Sequence, residues 1–193
     1  MIELGGETRI FPIVGDPIAQ VRSPKFLTEI MEAKGINGIA PPLKVKHKNI
    51  ERFFSTIEQT QNIDGLVVTL PHITAALAFC DQVTNRASII GSVNMTRRLS
   101  DGRFVGNNTD GEAYITAVRN CGGNPEGKRV IQIGVGGACS TVAYEFLAQG
   151  ARALGCKASA CADMFDAQAL KLVEFMTDQE EQFLARFNEQ VKG

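Results

Sequence analysis

The sequence predicts an α/β fold, a mostly parallel sheet with helices on both faces, and three observations predict it. Residues 64–73, Asp-Gly-Leu-Val-Val-Thr-Leu-Pro-His-Ile, hold a short apolar run, Leu66 to Val68. Such a run suits a strand covered on both faces, as parallel sheets require. Thr69 ends it, and Pro71 then opens a helix, where a missing N–H costs nothing. Strand-like and helix-like stretches alternate along most of the chain, the order that builds parallel sheets. A second strand-to-helix turn, Gly134-Val-Gly-Gly-Ala-Cys-Ser140, follows an apolar run at Lys128 to Ile133. Ligands of open α/β sheets sit at such turns, beyond the carboxyl ends of the strands.

Thr8 to Val14 reads as the first strand, followed by a loop with Gly15 and Pro17. Ser23 is suited to an N-cap, with Pro24 at the first helical position. The helix after it carries Phe26, Leu27, Ile30 and Met31 on one face and ends near Gly35. Gly38 to Lys46 is a second strand, and Pro41 and Pro42 place it at an edge. Asn49 caps a helix through Thr60 with Ile50, Phe53, Phe54 and Ile57 as its buried stripe. After the central strand and the Pro71 helix comes a short helix near Asn85 to Ile90. Ser92 to Leu99 and Arg103 to Val105 form a hairpin over Ser100-Asp101-Gly102. A helix runs from Asn108-Thr-Asp-Gly111 to about Cys121, and the loop Gly122 to Gly127 marks a domain boundary. The glycine turn leads into a helix ending near Gln149, and a last amphipathic helix spaces Phe183, Leu184, Phe187 and Val191 for core packing.

Composition excludes several classes. With 44 % apolar and 21 % charged residues and a net charge of −1, the chain reads as an ordinary globular protein of the cytoplasm. Its 20 basic and 21 acidic residues are interspersed, which argues against nucleic acid and membrane as partners. The start, Met-Ile-Glu-Leu-Gly-Gly-Glu, lacks the regions of a signal peptide, and no apolar run spans a bilayer. The cysteines at 80, 121, 139, 156 and 161 form no Cys-x-x-Cys pair, which points to reduced thiols. With only His47 and His72 for imidazole ligands, no metal site is expected.

Four stretches then stand in a telling order: Gly15-Asp-Pro-Ile-Ala-Gln-Val-Arg-Ser-Pro24, the 64–73 stretch, Gly91-Ser-Val-Asn94 and Asn108-Thr-Asp-Gly111. In that order and spacing they resemble the substrate-binding domain of the shikimate/quinate dehydrogenase family. The resemblance implies an NAD(P)-dependent oxidoreductase acting on a ring hydroxyl of shikimate, quinate or a related hydroxy acid, as a monomer or homodimer. It implies a substrate-binding domain over residues 1–105, joined by C-terminal helices at 163–193 that pack back on it, and a truncated Rossmann-like dinucleotide-binding domain over 106–162. The turn Gly134, Gly136, Gly137 and Ala138 matches the family's Gly-x-Gly-Gly loop, which holds the pyrophosphate of NADP or NAD at a helix N-terminus. Its alternative is a glycine-rich turn without a ligand.

The same resemblance assigns Ser23, Thr69, Asn94, Asp110 and Gln168 to the substrate, and Asp110 also to proton transfer. Each has an ordinary alternative: Ser23 a helix cap, Thr69 a strand end, Asn94 a sheet residue, Asp110 a helix cap, Gln168 an exposed side chain. Two departures matter. The family's Ser-x-Ser pair reads Val21-Arg22-Ser23, where Arg22 either supplies charge to a substrate carboxylate or is a solvated surface residue. The family's Val-Thr-x-Pro-x-Lys has Ile73 at the lysine, the partner of the aspartate in proton transfer. General acid–base help is worth ~10²–10⁴-fold, so this loss costs roughly 3–5 kcal/mol of barrier. Alone, a carboxyl with a pKa of about 4 donates poorly at neutral pH unless burial raises it. His72 is adjacent, but neighbouring helical side chains diverge by about 100°, so no substitution by His72 is expected. A non-catalytic binding protein for a small polyhydroxylated carboxylic acid is therefore the alternative.

After Gly150 the dinucleotide pattern breaks. Residues 152–162 show no strand-like run, and Gly155-Cys156 and Met164-Phe-Asp-Ala-Gln168 resemble the family's far C-terminus. The expectation is an omitted segment near Ala151–Arg152, leaving the 128–133 strand without a neighbour and visible as abnormal Cα spacing within 149–157.

Overall fold

The computed structural model describes residues 4–132, 137–150, 152–153 and 163–192. In chain order it runs β1 (Arg9–Ile10), β2 (Ile13–Gly15), α1 (Ser23–Ala33), β3 (Gly38–Ile39), β4 (Pro42–Lys44), a 3₁₀ turn at His47–Asn49 and α2 (Ile50–Glu58). It continues with β5 (Gly65–Val68), α3 (Ile73–Phe79), β6 (Gln82–Val83), α4 (Asn85–Ile90), β7 (Met95–Arg98), β8 (Phe104–Asn107) and α5 (Asp110–Asn120). The remaining elements are β9 (Arg129–Val130), α6 (Gly137–Ala148), β10 (Arg152–Ala153), α7 (Asp163–Thr177) and α8 (Glu180–Lys192).

The main sheet has six strands in the order β4-β2-β5-β7-β8-β6. Its β4, β2 and β5 are mutually parallel, β7 is antiparallel to both neighbours, and β6 is parallel to β8. All four residues of β5 are buried, and alternation along the strand divides them between two cores. Leu66 and Val68 pack with Ile50, Phe54, Ile57 and Phe104 on one face. Val67 packs with Leu27, Met31, Leu172, Val173 and Met176 on the other. Helix α7 thus packs back on the main sheet, and Phe183 and Phe187 of α8 close a third cluster on Leu99 and Val105.

Prolines cut the first two expected strands in half. Thr8–Val14 becomes β1 and β2 around Pro12, and β3 and β4 flank Pro41, because a ladder loses a donor at each proline. As expected, β4 lies at the sheet edge. Three end assignments are corrected. Pro71 does not open α3, which begins at Ile73 after a turn closed by His72 N–H to the Thr69 carbonyl at 2.9 Å. Proline's fixed φ suits a turn as well as a first helical residue. Ser23 and Asn49 make no side-chain capping bond; Ser23 is itself the first residue of α1. The capping hydroxyl that does form is Thr84, which accepts from Ala87 N–H at 3.3 Å.

Arg97 and Arg98 are consecutive on β7, so their side chains leave opposite faces. Arg97 donates to the carbonyls of Phe175 at 3.3 Å and Asp178 at 2.5 Å, and its guanidinium lies 4.3 Å from the Phe183 ring centroid. Arg98 donates to the carbonyls of Ile57 at 2.6 Å, Thr60 at 3.0 Å and Ile63 at 2.9 Å. Each bracket satisfies carbonyls that a helix C-terminus leaves open, with the charge the helix dipole favours there.

Helices α5 and α6 pack closely against each other. At Gly111 a Cβ would stand 2.2 Å from the Thr141 carbonyl oxygen, so only glycine lets the helices approach this closely. Gly111→Ala is expected to destabilise the protein by ~1–3 kcal/mol in urea unfolding, because backbone atoms must move apart. The expectation that 152–162 offers no strand is corrected: Arg152–Ala153 pairs in parallel with Arg129–Val130. Pairing uses backbone donors and acceptors, so weak β-propensity does not forbid a two-residue ladder. Of the spacing expectation across 149–157, residues 151 and 154–157 lie outside the described residues. Among the described residues no helix is long and apolar enough to cross a membrane.

Candidate functional site

At the carboxyl end of β5 and β2 lies a cavity of about 260 Å³. Gly15 lets Thr69 close in beside β2, since a Cβ there would come within 2.6 Å of the Thr69 methyl. The structure brings Ser23, Thr69, Asn94, Asp110 and Gln168 to the wall of this one cavity, although they come from five separate parts of the chain. Val21, Ile73 and Leu172 form much of its apolar side.

Asp110 opens α5 and is held from two sides. Asn94 Nδ2 donates to its Oδ1 at 2.7 Å, and Gln168 Nε2 donates to the same oxygen. Oδ2 takes no hydrogen bond among the described residues, so it is the open oxygen of a carboxyl that lines the cavity. Burial pushes the Asp110 carboxyl above the usual carboxylate range, and the Asn94 and Gln168 donations only partly oppose it. An uncharged, protonated Asp110 is thereby favoured to higher pH than an exposed aspartate.

Behind Asp110 runs a web of asparagines, of which the sequence assigned a role only to Asn94. Asn94 Oδ1 accepts from Thr109 N–H at 3.2 Å, and Asn108 Oδ1 accepts from Asp110 N–H at 3.1 Å. Asn107 Oδ1 accepts from Asn108 N–H at 2.8 Å and from the Thr84 hydroxyl at 2.7 Å. Asn108 Nδ2 reaches Ser92 Oγ at 2.9 Å. The signal was present: two asparagines at the end of a buried strand must find partners, and here Asn107 takes the N–H of Asn108 and Asn108 that of Asp110.

A charged bracket fixes the spacing of the two helices that carry Asp110 and Gln168. Glu112 binds Lys171 Nζ at 2.7 Å and Arg86 Nη1 at 2.9 Å, and Arg86 Nε lies 3.5 Å from Glu145 on α6. Burial pushes the Glu112 carboxyl up, but Lys171 and Arg86 together outweigh it and hold it below the usual range.

Ile73, 5 % exposed, stands in the cavity wall where the resemblance would place a lysine. His72 does not replace it. Its ring is fully buried, with Nε2 2.7 Å from the Val45 carbonyl, and it does not line the cavity. Arg22 is exposed and also outside the wall, as a solvated surface arginine would be. Of the glycine turn, Gly134 and Gly136 lie outside the described residues, while Gly137 and Ala138 are the first residues of α6, which has 12 residues.

Residues 13–96 match the model of the shikimate dehydrogenase substrate binding domain. The NADP(+) shikimate dehydrogenase of Geobacter metallireducens is 34 % identical over 153 residues, covering 79 % of this chain and 52 % of that protein. That of Carboxydothermus hydrogenoformans is 31 % identical over 150 residues, covering 78 % and 53 %. The chain thus spans about half the length of the curated relatives it matches. Among solved structures, shikimate 5-dehydrogenase of Thermus thermophilus in complex with shikimate superposes with a TM-score of 0.70 at 25 % identity, over 86 % of this chain and 62 % of that one.

Proposed function

The chain belongs to the shikimate dehydrogenase family, and on that premise we propose that it is an oxidoreductase acting on a ring hydroxyl of shikimate, quinate or a related hydroxy acid with NADP or NAD. The observation that carries this reading is the cavity wall on which Ser23, Thr69, Asn94, Asp110 and Gln168 converge. In it, Ser23 and the N-terminal end of α1 face the substrate carboxylate, which the helix dipole favours there. Thr69, Asn94 and Gln168 orient the hydroxyls through groups that both donate and accept. Asp110, through its open Oδ2, exchanges the proton of the reacting hydroxyl, and its raised pKa brings it closer to the working pH than a free carboxyl would be.

The described cofactor-side residues fit the phosphate end of a dinucleotide: α6 opens at Gly137 behind the parallel pair β9 and β10. A nicotinamide bound there would supply the hydride chemistry. The chain's residues hold the ring in place and move the proton at Asp110 Oδ2. The domain division follows: 1–105 with 163–193 for the substrate, 106–162 for the cofactor.

Turnover of shikimate and quinate with NADP and with NAD, followed by reduced-nicotinamide absorbance, tests the proposal. Binding of these acids by calorimetry without any turnover would leave a binding protein. Ile73→Lys is expected to raise the rate ~10-fold or more, because it adds a cation and proton donor beside Asp110. A flat response would remove position 73 from the proton-transfer machinery.

A further inference from the structure

We propose that the cavity at the opposite end of the central strand, beside Asp64, binds a small oxyanion, a phosphate or carboxylate group, at Arg97, with Arg9 and Arg98 adding positive charge to its wall. This cavity measures about 450 Å³ and is lined by all three arginines together with Asp64, Ser100 and Glu180. It is separated from the candidate substrate site by the length of β5, which runs from Gly65 to Val68.

The charges around it do not balance. Asp64 gives both oxygens to Arg9, at 2.6 Å to Nε and in a second bond to Nη2. Glu180 gives both of its oxygens to Ser100, accepting from N–H at 2.8 Å and from the hydroxyl at 2.6 Å. That leaves Arg97 and Arg98 with no carboxylate within ion-pair distance among the described residues. Arg97 is only 6 % exposed, and its Nε finds no hydrogen-bond partner. Its other hydrogen bonds go to carbonyls, as do those of Arg98. Buried charges are expensive unless paired. The carbonyl ends of α2 and α7 supply about half a charge each, so together they fall short of two guanidinium charges. Glu180 offsets a further part through space. Desolvation holds the Arg97 guanidinium below the usual arginine range, as expected of a cation without a close counter-charge. An anion in the adjoining cavity completes the set. Oxyanions match the fork of guanidinium donors, and the volume admits one borne on a small metabolite as well as a free one.

Calorimetric titration of the full chain with inorganic phosphate, with acetate and with glycerol 3-phosphate tests this, against sodium chloride at equal ionic strength. Saturable heat from an oxyanion, absent with chloride, is expected. Stronger binding of glycerol 3-phosphate than of phosphate assigns the site to an ester-borne group, and the reverse to a free ion. Glu180→Gln removes the competing carboxylate and should tighten binding several-fold, a gain that misfolding cannot mimic. Arg9→Gln frees Asp64 to repel the anion and should weaken binding ~10-fold or more. Equal heats with chloride, or affinities unchanged in both Glu180→Gln and Arg9→Gln, would overturn the proposal.

Discussion

Asp110→Asn is expected to lower turnover of shikimate or quinate by ~10²–10⁴-fold while making the protein more stable at neutral pH. Asparagine keeps an oxygen at Oδ1, so Asn94 and Gln168 retain their acceptor and the cavity keeps its shape. What is lost is the oxygen that can carry and release a proton. The stability gain has the opposite origin. The native carboxyl is raised by burial from its usual 3.8, so the folded state binds its proton more tightly than the unfolded state does. Stability therefore falls as pH rises from about that ordinary value through the folded pKa, and stays lower above it. An amide has no such loss. Urea midpoints of the two proteins should converge in acid and separate toward neutrality, with the variant higher. A variant of normal turnover would end the assignment of proton transfer to Asp110; parallel pH curves would end the burial argument.

Phe104→Ala is expected to cost ~3–5 kcal/mol of folding free energy, a large part of what a domain of this size has. Phe104 is 1 % exposed and lies 4.7 Å from the Phe79 ring centroid, which in turn stacks on Phe54 at 4.6 Å. Arg98 places its guanidinium 4.6 Å from the Phe104 centroid. Truncation thus opens a void under β8 and removes the ring on which the Arg98 bracket rests, so α2 loses its hold at the same time. Chemical denaturation of the purified variant measures the cost. A loss below about 1 kcal/mol would mean that the neighbouring rings collapse into the space.

Much of the fold was legible because its signals are local. The β-branched run at 66–68, the hairpin around Gly102 and the stripe on α8 each require only neighbouring residues to be read. Helix ends were less legible. Ser23, Asn49 and Pro71 carry the right residue types for helix starts, yet Ser23 lies inside α1 and lines the cavity, Asn49 stands at the cap without a side-chain bond, and Pro71 lies in the turn before α3. The convergence of the candidate site residues was readable only through the resemblance. No spacing rule brings Gln168 to Asp110, which lies 58 positions away. The asparagine web escaped for the opposite reason: Asn107 and Asn108 are adjacent in sequence, but their partners Thr84 and Ser92 belong to another helix and its following turn.

The return of α7 to the main sheet has a consequence for how the chain folds at the ribosome. Ala169, Leu172, Val173 and Met176 cover the face of the sheet that holds Ile13, Val67 and Met95. Arg97 must wait for Asp178, 81 positions later, before its bracket closes. Synthesis delivers the six strands of the main sheet first, so a nascent chain that has emerged only through α6 presents one side of that sheet without this cover. Loop closure over such distances is slow, and an apolar sheet face covered only by Leu27 and Met31 of α1 is adhesive in the meantime. The late helix is thus where a general chaperone has most to protect, and where the Asp110–Gln168 contact is assembled last.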